Sequence, residues 1–218
     1  MTRAVYVGGF GGGDKSAELV ANGLERRYGY EQIDTFNFSE LYTNPERIRK
    51  ATTERVHFIS HSAGATALEL VLLGSLESAL LIGAPIRQSV PSLLAKTLTK
   101  TGRMNTPGIG IHNLSDAKAV MDYTEDTLEE FAKHPIGNFA QLGKVAHSSV
   151  INLTARTYNH GTPTTAVYTS GDAYFKPTPI TIAHLEANDV RTITGVPGEH
   201  DEIILRPDAF LSQIPDFS

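Results

Sequence analysis

The sequence predicts an α/β protein with a mostly parallel sheet and helices on both of its faces. Three observations carry this. Short apolar runs recur along the chain, helical patterns separate them, and two of the runs end in turns built from glycine or serine. Strands that alternate with helices join in parallel, and the helices then cover both faces of the sheet.

Ala4–Val7 is the first β-rich run, and it ends in Gly8-Gly9-Phe10-Gly11-Gly12-Gly13. Ala17, Leu19, Val20, Gly23 and Leu24 follow at roughly helical spacing, as far as Arg26-Arg27. Residues 32–38 form a second strand candidate. Asn44-Pro45-Glu46 reads as a helix start, with Asn44 as N-cap and Pro45 at the first helical position. Val56-His57-Phe58-Ile59 is a buried strand that runs into Ser60-His61-Ser62-Ala63-Gly64, and Ala65 to about Leu73 is the helix behind that turn. Ser78–Pro85 is another buried strand. The alternation returns with Thr165–Thr169 and Val190–Val196, and a last helix runs from Pro207 to about Ile214.

Residues from about 86 to 160 break the pattern, with helical periodicity and no convincing strand. Val90, Leu93, Leu94 and Leu98 form one apolar stripe; Ala117, Val120, Met121, Leu128 and Phe131 form another. We expect one domain over 1–218, with a core at about 1–85 and 161–218 and a helical insert at about 86–160. The insert either widens the fold as packing helices or caps a site. It leaves the carboxyl end of a strand, where ligands of open α/β sheets bind. In the cap reading Val90, Leu94, Val120, Leu128 and Phe131 turn toward the sheet edge, and Leu94, Val120 and Phe131 contact substrate.

Composition narrows the function. A chain of 218 residues can bury about 70% of its unfolded surface, enough for a full core. It has no cysteine, hence no disulfide, thiolate nucleophile or cysteine-ligated metal. That fits a reducing compartment, and we expect a cytoplasmic protein. Net charge is −5 with both signs interspersed, and no basic tract points to nucleic acid or an anionic membrane. Met1-Thr2-Arg3-Ala4-Val5 runs straight into a strand, so no signal peptide is expected. No apolar run approaches the ~20 residues of a membrane span.

Ser62 is the candidate nucleophile. A serine on a strained strand-to-helix turn needs small neighbours, which Ala63, Gly64 and Ala65 provide. The helix behind it directs N–H groups and its positive end toward the place where negative charge develops. Serine is also a good N-cap, so the turn alone decides nothing. A serine hydroxyl needs a base, and the base needs a third group to hold its tautomer. Among eight histidines, His57 lies within a strand, and His61 should point away from Ser62. His112, His134, His147 and His160 fall in the insert or at its edge, and His184 in a polar helix or loop. His200 follows the last strand in Val196-Pro197-Gly198-Glu199-His200, on the same sheet edge as Ser62. Asp172, in Thr169-Ser170-Gly171-Asp172 after the preceding strand, is the matching acid. Asp201 would have to fold back to reach the ring, and Asp189 lies at the wrong end of the sheet.

These residues together resemble an α/β-hydrolase-fold serine hydrolase. The elbow G-x-S-x-G is matched with Ser60 in place of its first glycine. The chain order Ser62, Asp172, His200, the Gly171-Asp172 loop with Pro177 downstream, and the final Gly198-x-His200 agree with it. The resemblance covers almost the whole chain, starting at the family's third strand without the first antiparallel strands of larger members. It implies an acyl-Ser62 intermediate on a small-molecule ester, thioester or related substrate. It implies oxyanion donors at the N–H of Phe10 (or Gly9) and Ala63, with no metal or organic cofactor. Two other classes stay open: a non-catalytic binding module on the same fold, and a nucleotide-binding protein using Gly8–Ser16. The latter resembles a phosphate loop G-x-x-x-x-G-K-[ST], but Asp14 intervenes before Lys15-Ser16.

Overall fold

Among the described residues, six strands form a single sheet in which every neighbouring pair is parallel. They are β1 (Arg3–Val7), β2 (Gln32–Phe36), β3 (Val56–His61), β4 (Leu76–Ile82), β5 (Thr164–Thr169) and β6 (Val190–Val196), in the order β2-β1-β3-β4-β5-β6. The computed structural model describes residues 2–10, 12–86, 114–133 and 144–216. The interior strands β3 and β5 are buried at every residue. Parallel strands are covered on both faces, which is why they read as continuous apolar runs in the sequence. β2 and β6 are the edges, and both are only partly buried.

The described helices are α1 (Asp14–Tyr28), α2 (Glu40–Thr43), α3 (Pro45–Ala51), α4 (Leu114–Lys133), α5 (Val150–Asn159), α6 (Pro179–Glu186), α7 (Glu202–Leu205) and α8 (Pro207–Leu211). The segment behind β3, Ser62–Glu69, winds as a 3₁₀ helix rather than the expected α-helix. The Thr66 hydroxyl donates to the carbonyl of Ala63 at 2.8 Å, an i to i−3 contact that suits the tighter winding.

Two apolar clusters lie on opposite faces of the sheet. One joins Val5, Phe58 and Leu81 to Leu68 of the 3₁₀ helix, Val150 and Leu153 of α5 and Leu185 of α6. The other joins Tyr6, Ile59 and Leu80 to Val20 and Leu24 of α1, Tyr123 of α4, Ile203 of α7 and Phe210 of α8. Each fully buried side chain of this size contributes about 1.5–3 kcal/mol. Helices on both faces of a six-stranded parallel sheet match the expected class.

Between β4 and β5 the structure differs from the sequence reading in two ways. α5, read as part of the insert, lies in the core: it packs on the 3₁₀ helix and β5, and the N–H of Val150 donates to the carbonyl of Pro85 at 2.7 Å. On α4 two residues of the expected apolar stripe are exposed. Leu128 is 64% exposed and Met121 71%, whereas Tyr123 and Asp126 are buried. A phenol ring and a capping carboxylate count as polar in a periodicity reading, so the face they define gives no apolar signal. Val90 and Leu94 lie outside the described residues. Val120 and Phe131 lie on α4, but their side chains are outside the description.

The strand order reverses between β1 and β3. The connection from β1 runs to β2 on one side, and that from β3 runs to β4 on the other. Loops diverging at such a point leave a crevice at the carboxyl edge of the sheet. Gly8 and Gly9 follow β1 and Ser62 follows β3 at this point.

Candidate active site

Ser62 follows the last residue of β3 and opens the 3₁₀ helix. Its φ is 54°, in the left-handed region that non-glycine residues rarely enter. Such a residue costs about 1–3 kcal/mol and persists because its surroundings over-determine it. Here the constraint is close backbone contact. A side chain at Gly64 would run into the carbonyls of Val7 and Gly8, and a β-carbon at Gly9 would stand 2.7 Å from that of Ser62. The small residues of the elbow thus let the 3₁₀ helix and the glycine loop close on the serine from two sides. Ser60, at the position usually held by glycine, is fully buried, and its hydroxyl finds no hydrogen-bond partner among the described residues.

Asp172 in the loop after β5 and His200 in the loop after β6 meet Ser62 at this edge. His200 Nε2 lies 2.7 Å from Ser62 Oγ, and His200 Nδ1 lies 2.7 Å from Asp172 Oδ2. A carboxylate accepts only, so Nδ1 carries the ring proton and Nε2 is left to accept from the serine hydroxyl. The other Asp172 oxygen accepts from the N–H groups of Tyr174 and Phe175, each at 2.8 Å. Burial pushes the Asp172 pKa up. The His200 charge and hydrogen bond and the two backbone donors outweigh burial and hold it at about 2, below the ordinary 3.8. The acid is therefore ionised at any working pH.

Three rings surround His200. Tyr174 and His61 lie 4.9 Å from it and Phe175 5.6 Å, centroid to centroid. Burial pushes the Tyr174 hydroxyl pKa up, so that ring stays neutral. His61 was expected to point away from Ser62, and its ring instead packs against His200. Its Nε2–H donates to the carbonyl of His200 at 2.9 Å and fixes the loop that carries the base. Asp201 is buried and places Oδ1 3.8 Å from His61 Nε2, while it is Asp172 that bonds the His200 ring. Asp189 lies in the turn that leads into β6, at the opposite edge. His57 is buried against Ser78, and His147, His160 and His184 are exposed. His112 and His134 lie outside the described residues.

Phe10 packs edge-on against Phe38 at 5.5 Å between ring centroids. Ala63 is the second residue of the 3₁₀ helix, and the first N–H groups of a helix have no partner within it. The Ala63 N–H therefore belongs to backbone next to Ser62, and on the loop side it is Gly9 that approaches Ser62.

The glycine loop makes a poor phosphate cradle. The N–H groups of Gly13 and Ser16, at the head of α1, already donate to the carboxylate of Asp126 at 3.0 Å each. A phosphate would need those donors and would meet that charge. One group among the described residues has the spacing of metal ligands: His61, His200 and Asp201 place their atoms within 4.8 Å of one another. A cation there would have to displace His200 from Asp172 or Ser62, and His61 Nε2 from its carbonyl, so these residues do not fit a metal.

No family model matches the sequence, and no curated protein matches it either. Solved structures do match. A hydrolase from Pseudomonas aeruginosa PA01 superposes with a TM-score of 0.64 at 13% identity, over 97% of this chain and 88% of its own. A lipase-esterase related protein from Clostridium acetobutylicum ATCC 824 gives 0.63 at 13%, over 100% and 94%. A structure from work on carboxylesterases of Nitrososphaera gargenis gives 0.58 at 13%, over 94% and 85%. At such identities the likeness concerns the fold: the chain has the α/β-hydrolase fold. Among the described residues no helix is long and apolar enough to cross a membrane.

Proposed function

We propose that this chain is a serine hydrolase that cleaves an ester, thioester or related acyl bond of a small molecule. One observation carries the reading: Ser62 Oγ, the His200 ring and Asp172 are joined by two 2.7 Å contacts at the carboxyl edge of the sheet. Ser62 Oγ attacks the acyl carbon while its proton passes to His200 Nε2. Asp172 holds the ring tautomer and balances the imidazolium charge. The developing oxyanion is met by the N–H groups of Phe10 and Ala63, where one well-placed donor is worth about 3 kcal/mol. His200 then gives its proton to the leaving group, the acyl–Ser62 ester forms, and the same base activates water to release the acid. In this reading the segment between β4 and α5 caps the crevice, with Leu94, Val120 and Phe131 against the acyl group. The absence of cysteine fits a reducing compartment such as the cytoplasm.

A fluorophosphonate probe should add to Ser62, as mapped by peptide mass. Ser62→Ala should abolish labelling and the turnover of nitrophenyl acetate while the protein stays folded. A folded wild-type chain that is not labelled, or one labelled at another serine, overturns the proposal.

A further inference from the structure

Asp126 of α4 is a buried carboxylate that the chemistry above does not use. Three donors converge on its Oδ2: the N–H of Gly13 at 3.0 Å, the N–H of Ser16 at 3.0 Å and the Ser16 hydroxyl at 2.5 Å. Gly13 is the N-cap of α1 and brings no capping side chain of its own. The cap comes instead from a residue 113 positions away. A side chain at Gly13 would collide with that carboxylate, so the glycine is what admits it. A charge on backbone donors at the positive end of a helix is a strong contact.

We propose that Asp126 is a positioning residue that holds the oxyanion loop, an inference that rests on the hydrolase reading. The loop from Gly8 to Gly13 has two anchors. At one end the N–H of Gly8 donates to the carbonyl of Phe36 at 2.8 Å. At the other, Gly13 is held by Asp126. The N–H of Gly12 returns to the carbonyl of Gly9 at 3.1 Å and draws the chain into a turn between the anchors. Gly9 and Phe10 lie inside that span, with Gly9 against Ser62. A glycine-rich loop with one anchor samples many backbone conformations, and the second anchor selects the one that aims an N–H at the oxyanion. α4 also packs on α7, which follows the His200 loop directly. One helix therefore touches the elements behind both sides of the crevice.

The test compares Asp126→Ala and Asp126→Asn with the wild-type full chain, all shown to be folded at the assay temperature. Three quantities are read: the rate of fluorophosphonate labelling at Ser62, kcat and KM for nitrophenyl acetate, and affinity for a trifluoromethyl ketone. In the ketone adduct Ser62 Oγ bonds the carbonyl carbon, the serine proton goes to His200, and the former carbonyl oxygen becomes an oxyanion in the hole. Asp126→Ala should lower kcat and the labelling rate on the order of 10²-fold, the effect of misplacing a group by about 1 Å. KM should change by less than about threefold, since the loss falls on the transition state. Ketone affinity should fall by the same factor as kcat. Asp126→Asn keeps an acceptor oxygen and should recover most of each loss. If Asp126→Ala does not fold, Ser16→Ala removes the shortest of the three contacts and should show the same pattern at about tenfold. A labelled wild type with folded variants within threefold of it, or a fall in kcat with ketone affinity unchanged, overturns this inference alone. A wild type that takes no label overturns the hydrolase reading and this inference together.

Discussion

Replacing Asp172 with asparagine turns one carboxylate oxygen into an NH₂ group, and the neighbours of Asp172 decide which. Oδ1 accepts from the N–H groups of Tyr174 and Phe175, and Oδ2 accepts from His200 Nδ1. An NH₂ group cannot accept, so the amide oxygen stays with the two backbone donors and the NH₂ faces the ring. Nδ1 must then give up its proton and accept. The ring proton moves to Nε2, toward Ser62 Oγ, where no lone pair is left for the serine proton. Flipping the amide would restore the tautomer but set an NH₂ against two buried N–H groups. Each such loss costs about 1–3 kcal/mol. The productive arrangement is then populated between about one part in 30 and one part in 10⁴, at 1.4 kcal/mol per factor of ten. We expect kcat for nitrophenyl acetate and the labelling rate to fall within that span. The urea midpoint at neutral pH should fall by the equivalent of about 2 kcal/mol, because the stabilisation tied to the Asp172 charge is lost while both backbone bonds survive. Asp172→Asn within threefold of wild-type kcat would refute the reasoning, as would an equal loss from Asp201→Asn.

Asp172 also ties stability to acid. Its pKa lies at about 2 in the folded chain against an ordinary 3.8. The stabilisation is full above 3.8 and fades as pH falls toward 2, amounting to about 2 kcal/mol. Urea midpoints of Asp172→Asn should lack that part of the wild-type decline, and parallel curves for the two proteins would refute the assignment. Ser60→Ala should raise stability by about 1 kcal/mol, because it removes a buried hydroxyl with no partner among the described residues. A loss of that size in the same titration would mean that the hydroxyl is satisfied.

Interior strands were legible because burial on both faces leaves a continuous apolar run, as in Phe58-Ile59 and Ala79–Ile82. The elbow was legible because steric crowding leaves only small residues at Ala63 and Gly64. Ser62, Asp172 and His200 could be placed on one edge because each follows a strand, and parallel strands share a carboxyl edge. Other features depend on contacts between distant segments, and no local pattern announces them. The N–H groups of Tyr174 and Phe175 hold Asp172, yet any residue types would supply them. His61 faces the His200 carbonyl, which becomes a neighbour only after β3 and β6 join the sheet. Asp126 reads as an outward polar residue until its helix is placed on α1. The core position of α5 was missed for a related reason: its amphipathic pattern equally suits a helix packed on a sheet and one in an insert.

The distance along the chain between Ser62 and His200, 138 residues, has a consequence for biogenesis. The base lies beyond the last strand, and the two helices behind it close onto the first: α8 packs on α1, where Arg26 pairs with Asp208 in two 3.0 Å contacts. Contacts so far apart in sequence are late and slow to form. A chain emerging from the ribosome would therefore carry Ser62 without His200 beside it while the next 138 positions are made. On the hydrolase reading, reactivity would switch on only when the segment after β6 docks, so Ser62 stays inert through the period when the chain is least protected.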